Sequence, residues 1–165
     1  MSMKSRNAAR FALQCVTIAL LIGADQALKR WAERALGSGR VLQADGFMAL
    51  RYVRNTGAAF SMLSGRTSIL VWGTGVVLLG CAAYLFWGRS KSRLLDFALL
   101  LVIAGGAGNL IDRIRLGYVI DYLDPLFVHF AVFNFADCLI TVGAALLLIW
   151  AILGARKDKP GKETP

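Results

Sequence analysis

Apolar residues fill four long runs, at residues 11–28, 67–87, 94–114 and 132–153, and polar residues crowd the gaps between them. A helix needs about 20 mostly apolar residues to cross the hydrocarbon of a bilayer, so each run predicts one transmembrane helix. Lipid offers an open backbone no hydrogen-bonding partner, which leaves helix as the form of each span. Residues 31–36 read as a continuation of the first helix. Residues 47–53, bounded by Gly46 and by Asn55-Thr56-Gly57, predict short strands resting on the membrane surface. The expected fold is an all-α polytopic membrane protein: four transmembrane helices with a small strand-bearing extracytoplasmic lobe. A single membrane-embedded domain over residues 1–165 holds these pieces, with a disordered basic tail at 156–165.

Composition agrees. The chain is 57% hydrophobic without counting glycine, with mean hydropathy +0.58. Soluble domains are about 45–50% apolar with glycine included. A formal charge of +9 raises the question of nucleic acid. The positions of the charges answer it. Lys4, Arg6 and Arg10 precede the first run, Arg89, Lys91 and Arg93 separate the second from the third, and Arg156, Lys157, Lys159 and Lys162 follow the last. Those are the cytoplasmic flanks of membrane helices, and no basic face with groove-reading elements is legible. Both termini and the 88–93 loop are therefore expected in the cytoplasm. The segments 30–66 and 115–131 are expected outside. Arg34, Arg40, Arg51, Arg54 and Arg66 weaken that bias, but charge counts weigh most in short loops. The first run also resembles a secretory signal peptide. It is long for one, and Asp25-Gln26 stands where small residues would mark a cleavage site, so a retained helix is expected.

The chemistry gathers at one edge. A carboxyl at mid-bilayer costs roughly 2.5–3.5 kcal/mol on insertion scales, so such residues are rare and functional by default. Asp25 and Lys29 close the first span. Asn109, Asp112 and Arg113 close the third, at spacings that share a helix face, with Arg113 placed to pair with Asp112. Asn134 and Asp137 open the fourth, Asn134 as a candidate N-cap. Asn55 lies in the long outer segment. Asp121 sits in the apolar extended stretch Val119-Ile120-Asp121-Tyr122, and a short connection folds it back toward Asp137. Two carboxyls in contact cannot both ionise cheaply, so they share a proton; one serves as base on water, the other as acid. Asp124 precedes Pro125 and reads as the start of a turn, outside the site.

Competing constellations are thin. Cys15, Cys81 and Cys138 lie in apolar runs and His129 is alone, so no disulfide framework, zinc set or Cys–His pair is expected, and no cysteine at the outer edge. No metal or other cofactor is called for. A metal-dependent lipid-head-group transferase is the alternative enzyme, but it needs several carboxylates around Mg²⁺. A proton-coupled transporter needs a polar path through the bilayer, and here the polar layer stops at one side.

Five stretches in order then carry a resemblance: Asp25-Gln26-Ala27-Leu28-Lys29, residues 52–60 (YVRNTGAAF), residues 105–113 (GGAGNLIDR), Val119-Ile120-Asp121 and residues 133–137 (FNFAD). Together they resemble the lipoprotein signal peptidases (signal peptidase II) of the bacterial inner membrane. Leu28 and Gly106 depart from common family choices, away from the acidic pair. The resemblance implies an aspartic endopeptidase that cuts diacylglyceryl-modified prolipoproteins before the lipidated cysteine, near the periplasmic face, without a metal. It implies Asp121 and Asp137 as the catalytic pair. Asn55, Asn109, Arg113 and Asn134 would support the substrate, with Asp112 as partner of Arg113, and Asp25 and Lys29 would brace the site from the first helix. It implies membrane lipid and the diacylated precursor as partners, and inhibition by globomycin-type cyclic peptides. The loop at residues 55–60 is expected to cover the site, hinged at Gly57.

Overall fold

A computed structural model describes residues 3–44, 46–57, 67–87 and 92–157. In chain order its elements are α1 (Met3–Leu36), β1 (Leu42–Ala44), β2 (Met48–Asn55), α2 (Thr67–Trp87), α3 (Arg93–Leu116), β3 (Val119–Pro125) and α4 (Phe135–Lys157). All four helices are long and apolar enough to cross a membrane. The second matches the expected span residue for residue. The first does not stop where its hydropathy does. Residues 29–36 are good helix formers, and Ala32 and Leu36, one turn apart, are fully buried against Ile120 and Tyr122 of β3. α1 ends at Gly37, and Gly39 turns the chain with φ +85°.

α3 is the centre of the bundle. Its apolar stretch is mostly enclosed, whereas α1, α2 and α4 turn large apolar side chains such as Leu20, Trp72, Leu79 and Leu148 outward. Lipid is the solvent that suits those faces. Ser92 caps α3, its Oγ accepting from the Leu95 N–H, and Gly117 closes it at φ +80°. Glycine permits two close approaches here. A Cβ on Gly105 would lie 2.4 Å from the Ala136 carbonyl oxygen of α4, and one on Gly108 would lie 2.5 Å from Asp25 Oδ2 of α1. Bulk at either position would push a helix away from α3.

The strands form an antiparallel sheet in the order β1-β2-β3, with Ala49 opposite Asp124 and Val53 opposite Asp121. Past β3 the chain returns along it: Tyr122 and Leu123 donate to the Phe133 carbonyl, and Phe133 donates back to Leu123. That return sets Asn134 beside Asp121. Asp124 is not the turn residue expected from its proline. It lies within β3, which runs on through Pro125, and pairs with Arg51 at 2.6 Å. Proline ends the ladder there without breaking it.

Candidate active site

Two elements hold the central carboxyls. β3 carries Asp121, which is 1% exposed, and the first turn of α4 carries Asp137. Every oxygen of the pair receives an N–H. Asp121 Oδ2 accepts from Asn55 Nδ2 at 2.9 Å and Oδ1 from Asn134 Nδ2 at 2.6 Å. Asp137 Oδ1 accepts from Asn109 Nδ2 at 2.8 Å and Oδ2 from the Asn134 backbone N–H at 3.0 Å. The Asp137 N–H in turn donates to Asn134 Oδ1 at 3.0 Å, so the two residues form a reciprocal cap at the start of α4. Asn134 therefore joins both carboxyls through different atoms. Burial and the nearby Asp137 charge push Asp121 up from 3.8 to about 6, against the pull of Asn55 and Asn134.

Beneath this pair lies a buried charged layer. Lys29 Nζ meets Asp25 Oδ2 at 2.9 Å, Asp112 Oδ2 at 3.0 Å and Asn109 Oδ1 at 2.9 Å. Asp25 Oδ1 accepts the Ala136 N–H, fastening α1 to α4, and Asp112 Oδ2 accepts the Ile120 N–H, fastening α3 to β3. Gln26 completes the layer, donating to Asp112 Oδ1 at 2.9 Å and to the Gly108 carbonyl. Sequence reasoning passed over Gln26. Its signal was the three-residue spacing to Lys29, which puts both on one face.

Arg113 is not paired with Asp112. Neighbouring positions on a helix point about 100° apart, so Asp112 turns to α1 while Arg113 turns to a cavity. There its Nη2 donates to the Gly57 carbonyl at 2.9 Å, and its Nε is buried with no partner among the described residues. Gly57 is thus tied to α3. Residues 58–60 of the expected covering loop lie outside the described residues.

The cavity measures about 550 Å³. Asn55, Asn109, Arg113, Asp121 and Asp137 line one side, and apolar groups such as Val119, Phe130, Phe133, Ile140 and Val142 line the rest. Cys138 also lines it, contrary to the expectation of no cysteine at this edge; the helical step from Asp137 brings it in. No histidine lies in the lining among the described residues, so Cys138 has no imidazole partner there. The donor set bears on the metal alternative. Hard divalent cations take oxygen ligands, whereas Asn55, Asn109 and Asn134 turn N–H groups toward the carboxyls. The arrangement suits two carboxyls acting on water beside an apolar chamber.

Comparison with known proteins points the same way. The signal peptidase (SPase) II profile matches residues 17–153. The lipoprotein signal peptidase of Streptococcus thermophilus (strain CNRZ 1066) is 42% identical over 135 residues, 81% of this chain and 88% of its own length. That of Enterococcus faecalis (strain ATCC 700802 / V583) is 38% identical over 145 residues, 87% of this chain and 90% of its own. A bacterial membrane enzyme solved by the in meso method at 2.3 Å superposes with a TM-score of 0.80 at 27% identity, covering 93% of this chain and 95% of that one.

Proposed function

Because the chain belongs to the signal peptidase II family, we propose that Asp121 and Asp137 are the carboxyls with which it hydrolyses its substrate. The chain is a multi-pass membrane aspartic endopeptidase, and it removes the signal peptide from prolipoproteins. The observation that carries the residue assignment is the set of four N–H groups gripping both carboxyls at the wall of one apolar cavity.

The roles follow from the surroundings. Burial pushes Asp121 up to about 6, so it is the member of the pair that holds a proton. Asp137, gripped by a helix-cap N–H and an amide, serves as the base. It takes a proton from water as the water oxygen bonds to the scissile carbonyl carbon. Asp121 gives its proton to the carbonyl oxygen. The tetrahedral intermediate then collapses, the C–N bond breaks, and the proton on Asp137 passes to the leaving amine while the new hydroxyl returns one to Asp121. The unmatched Nε–H of Arg113 is satisfied by a substrate carbonyl flanking the cleaved bond.

The apolar lining supports a substrate that carries a diacylglyceryl group and is cut just before the modified cysteine; it also supports block by globomycin-type cyclic peptides. Basic flanks on both termini support cytoplasmic ends in the inner membrane and a site near the periplasmic face. Asp121→Asn and Asp137→Asn are each expected to lower cleavage of a diacylglyceryl-modified precursor by about a thousandfold or more, with the chain still inserted. Near-normal turnover in either variant removes that residue from the mechanism.

A further inference from the structure

The three amides around the carboxyls share a constraint. The two ends of an amide have nearly the same shape and differ only in donating or accepting, so something must fix which end faces an acid. For Asn55 it is the main chain: Oδ1 takes the Gly57 N–H at 2.9 Å. For Asn134 it is again the main chain, through the Asp137 N–H. For Asn109 it is a side chain. Oδ1 takes the Lys29 ammonium at 2.9 Å, with a longer bond at 3.2 Å from Asn134 Nδ2. Lysine has three donors and no acceptor. Asp25 and Asp112 occupy the other two, so the third has one place to go.

Resting on the reading of Asp121 and Asp137 above, we propose that Lys29 is a positioning residue for the hydrolysis: from a fully buried site it locks Asn109 so that an N–H, never a carbonyl, meets Asp137 Oδ1, and thereby keeps Asp137 the member of the pair that accepts a proton from water. The ammonium also polarises the amide it holds, which strengthens the N–H toward the carboxylate. Without Lys29, Asn109 Oδ1 keeps only the longer bond from Asn134 Nδ2, which is shared with Asp121, and the amide is free to turn its carbonyl toward Asp137, an arrangement that requires a proton on Asp137. The charged and titratable groups around this line are Asp25 on α1, Asp112 and Arg113 on α3, Asp121 and Tyr122 on β3, and Cys138 on α4. Among these groups Lys29 alone bonds the oxygen of Asn109.

The test is the pH dependence of kcat on a synthetic diacylglyceryl-modified precursor peptide. Lys29→Met, of similar length without charge, is expected to move the acid limb upward by about one pH unit. KM is expected to stay within about threefold, since the lock acts on the chemical step. Asn109→Leu is expected to give the same displacement, and the double variant no more than either alone, because Lys29 works through Asn109. If Lys29→Met does not insert, Lys29→Met with Asp112→Asn removes one charge of each sign and carries the same expectation. An unmoved acid limb, or displacements that add in the double variant, overturns the proposal. Either result leaves the aspartate variants inactive, so failure of the lock is separable from failure of the catalytic pair.

Discussion

α1 and α3 are pinned together by charge at both ends of the bundle, and the two pins are built differently. At the lobe end Lys29, Asp25 and Asp112 are at most 3% exposed, and their partners come from α1, α3, β3 and α4. At the opposite end, about 28 Å of helix below Lys29 at 1.5 Å per residue, Arg10 meets Asp96 as a single pair. Arg10 is half exposed there, and Asp96 Oδ1 has no partner among the described residues. One pin is a closed network that also holds Asn109, β3 and the start of α4. The other joins two helices and orients nothing else. A buried charge is tolerable when every donor and acceptor is matched, and matching fixes geometry as a by-product.

The contrast is open to measurement. Asp112→Ala strips Lys29 of a counter-ion, the Ile120 N–H of its acceptor and Gln26 of a partner, so it is expected to cost about 3–5 kcal/mol of stability in detergent. A loss under about 1 kcal/mol would make the lobe-end network no more than a surface pair. Next comes the pH dependence of Asp121. Its folded value of about 6 lies above its ordinary 3.8, so between these the folded chain holds more proton than the unfolded one. That contribution is complete below about pH 3.8 and is lost as pH rises through 6. The stability of the native chain relative to Asp121→Asn, which does not titrate, should fall by roughly 2–3 kcal/mol between pH 4 and pH 7. Unfolding both chains across that range checks it, and a flat difference contradicts it. The smallest effect is expected from Arg10→Met: about 1–2 kcal/mol, because Arg10 is half exposed although Asp96 is buried, with cleavage unchanged.

Asp25, Lys29 and Asp112 of the layer are legible in the sequence because each stands where an apolar run ends, and a span has only two ends. Asp121 was readable for a related reason: one acid in an extended apolar stretch has to be turned toward something polar. What escaped was direction. Spacing put Asn109, Asp112 and Arg113 near one another, yet adjacent helical positions diverge, and the parallel helix α1 claimed Asp112 for Lys29 and Gln26. Hydropathy ends the first span at residue 28, but the helical continuation read over residues 31–36 is present, and there Ala32 and Leu36 contact protein rather than lipid. Asp124 was misjudged because the proline after it signals a turn locally, whereas pairing to β2 is decided by residues far away in the chain. Cys138 illustrates the same limit: its neighbour is polar, but only the packing of α4 shows which side faces the cavity.

The unbroken course of α1 from Met3 to Leu36 has a mechanical consequence. One helix carries Lys29 two turns from its end and supports the sheet with those last two turns, where Ala32 and Leu36 lie under Ile120 and Tyr122. The sheet and the ammonium are thus carried by the same helix, and their spacing is fixed by it. The distance between the buried ammonium and the end of the helix under the sheet is set by helical rise, about 10 Å from Lys29 to Leu36 at 1.5 Å per residue.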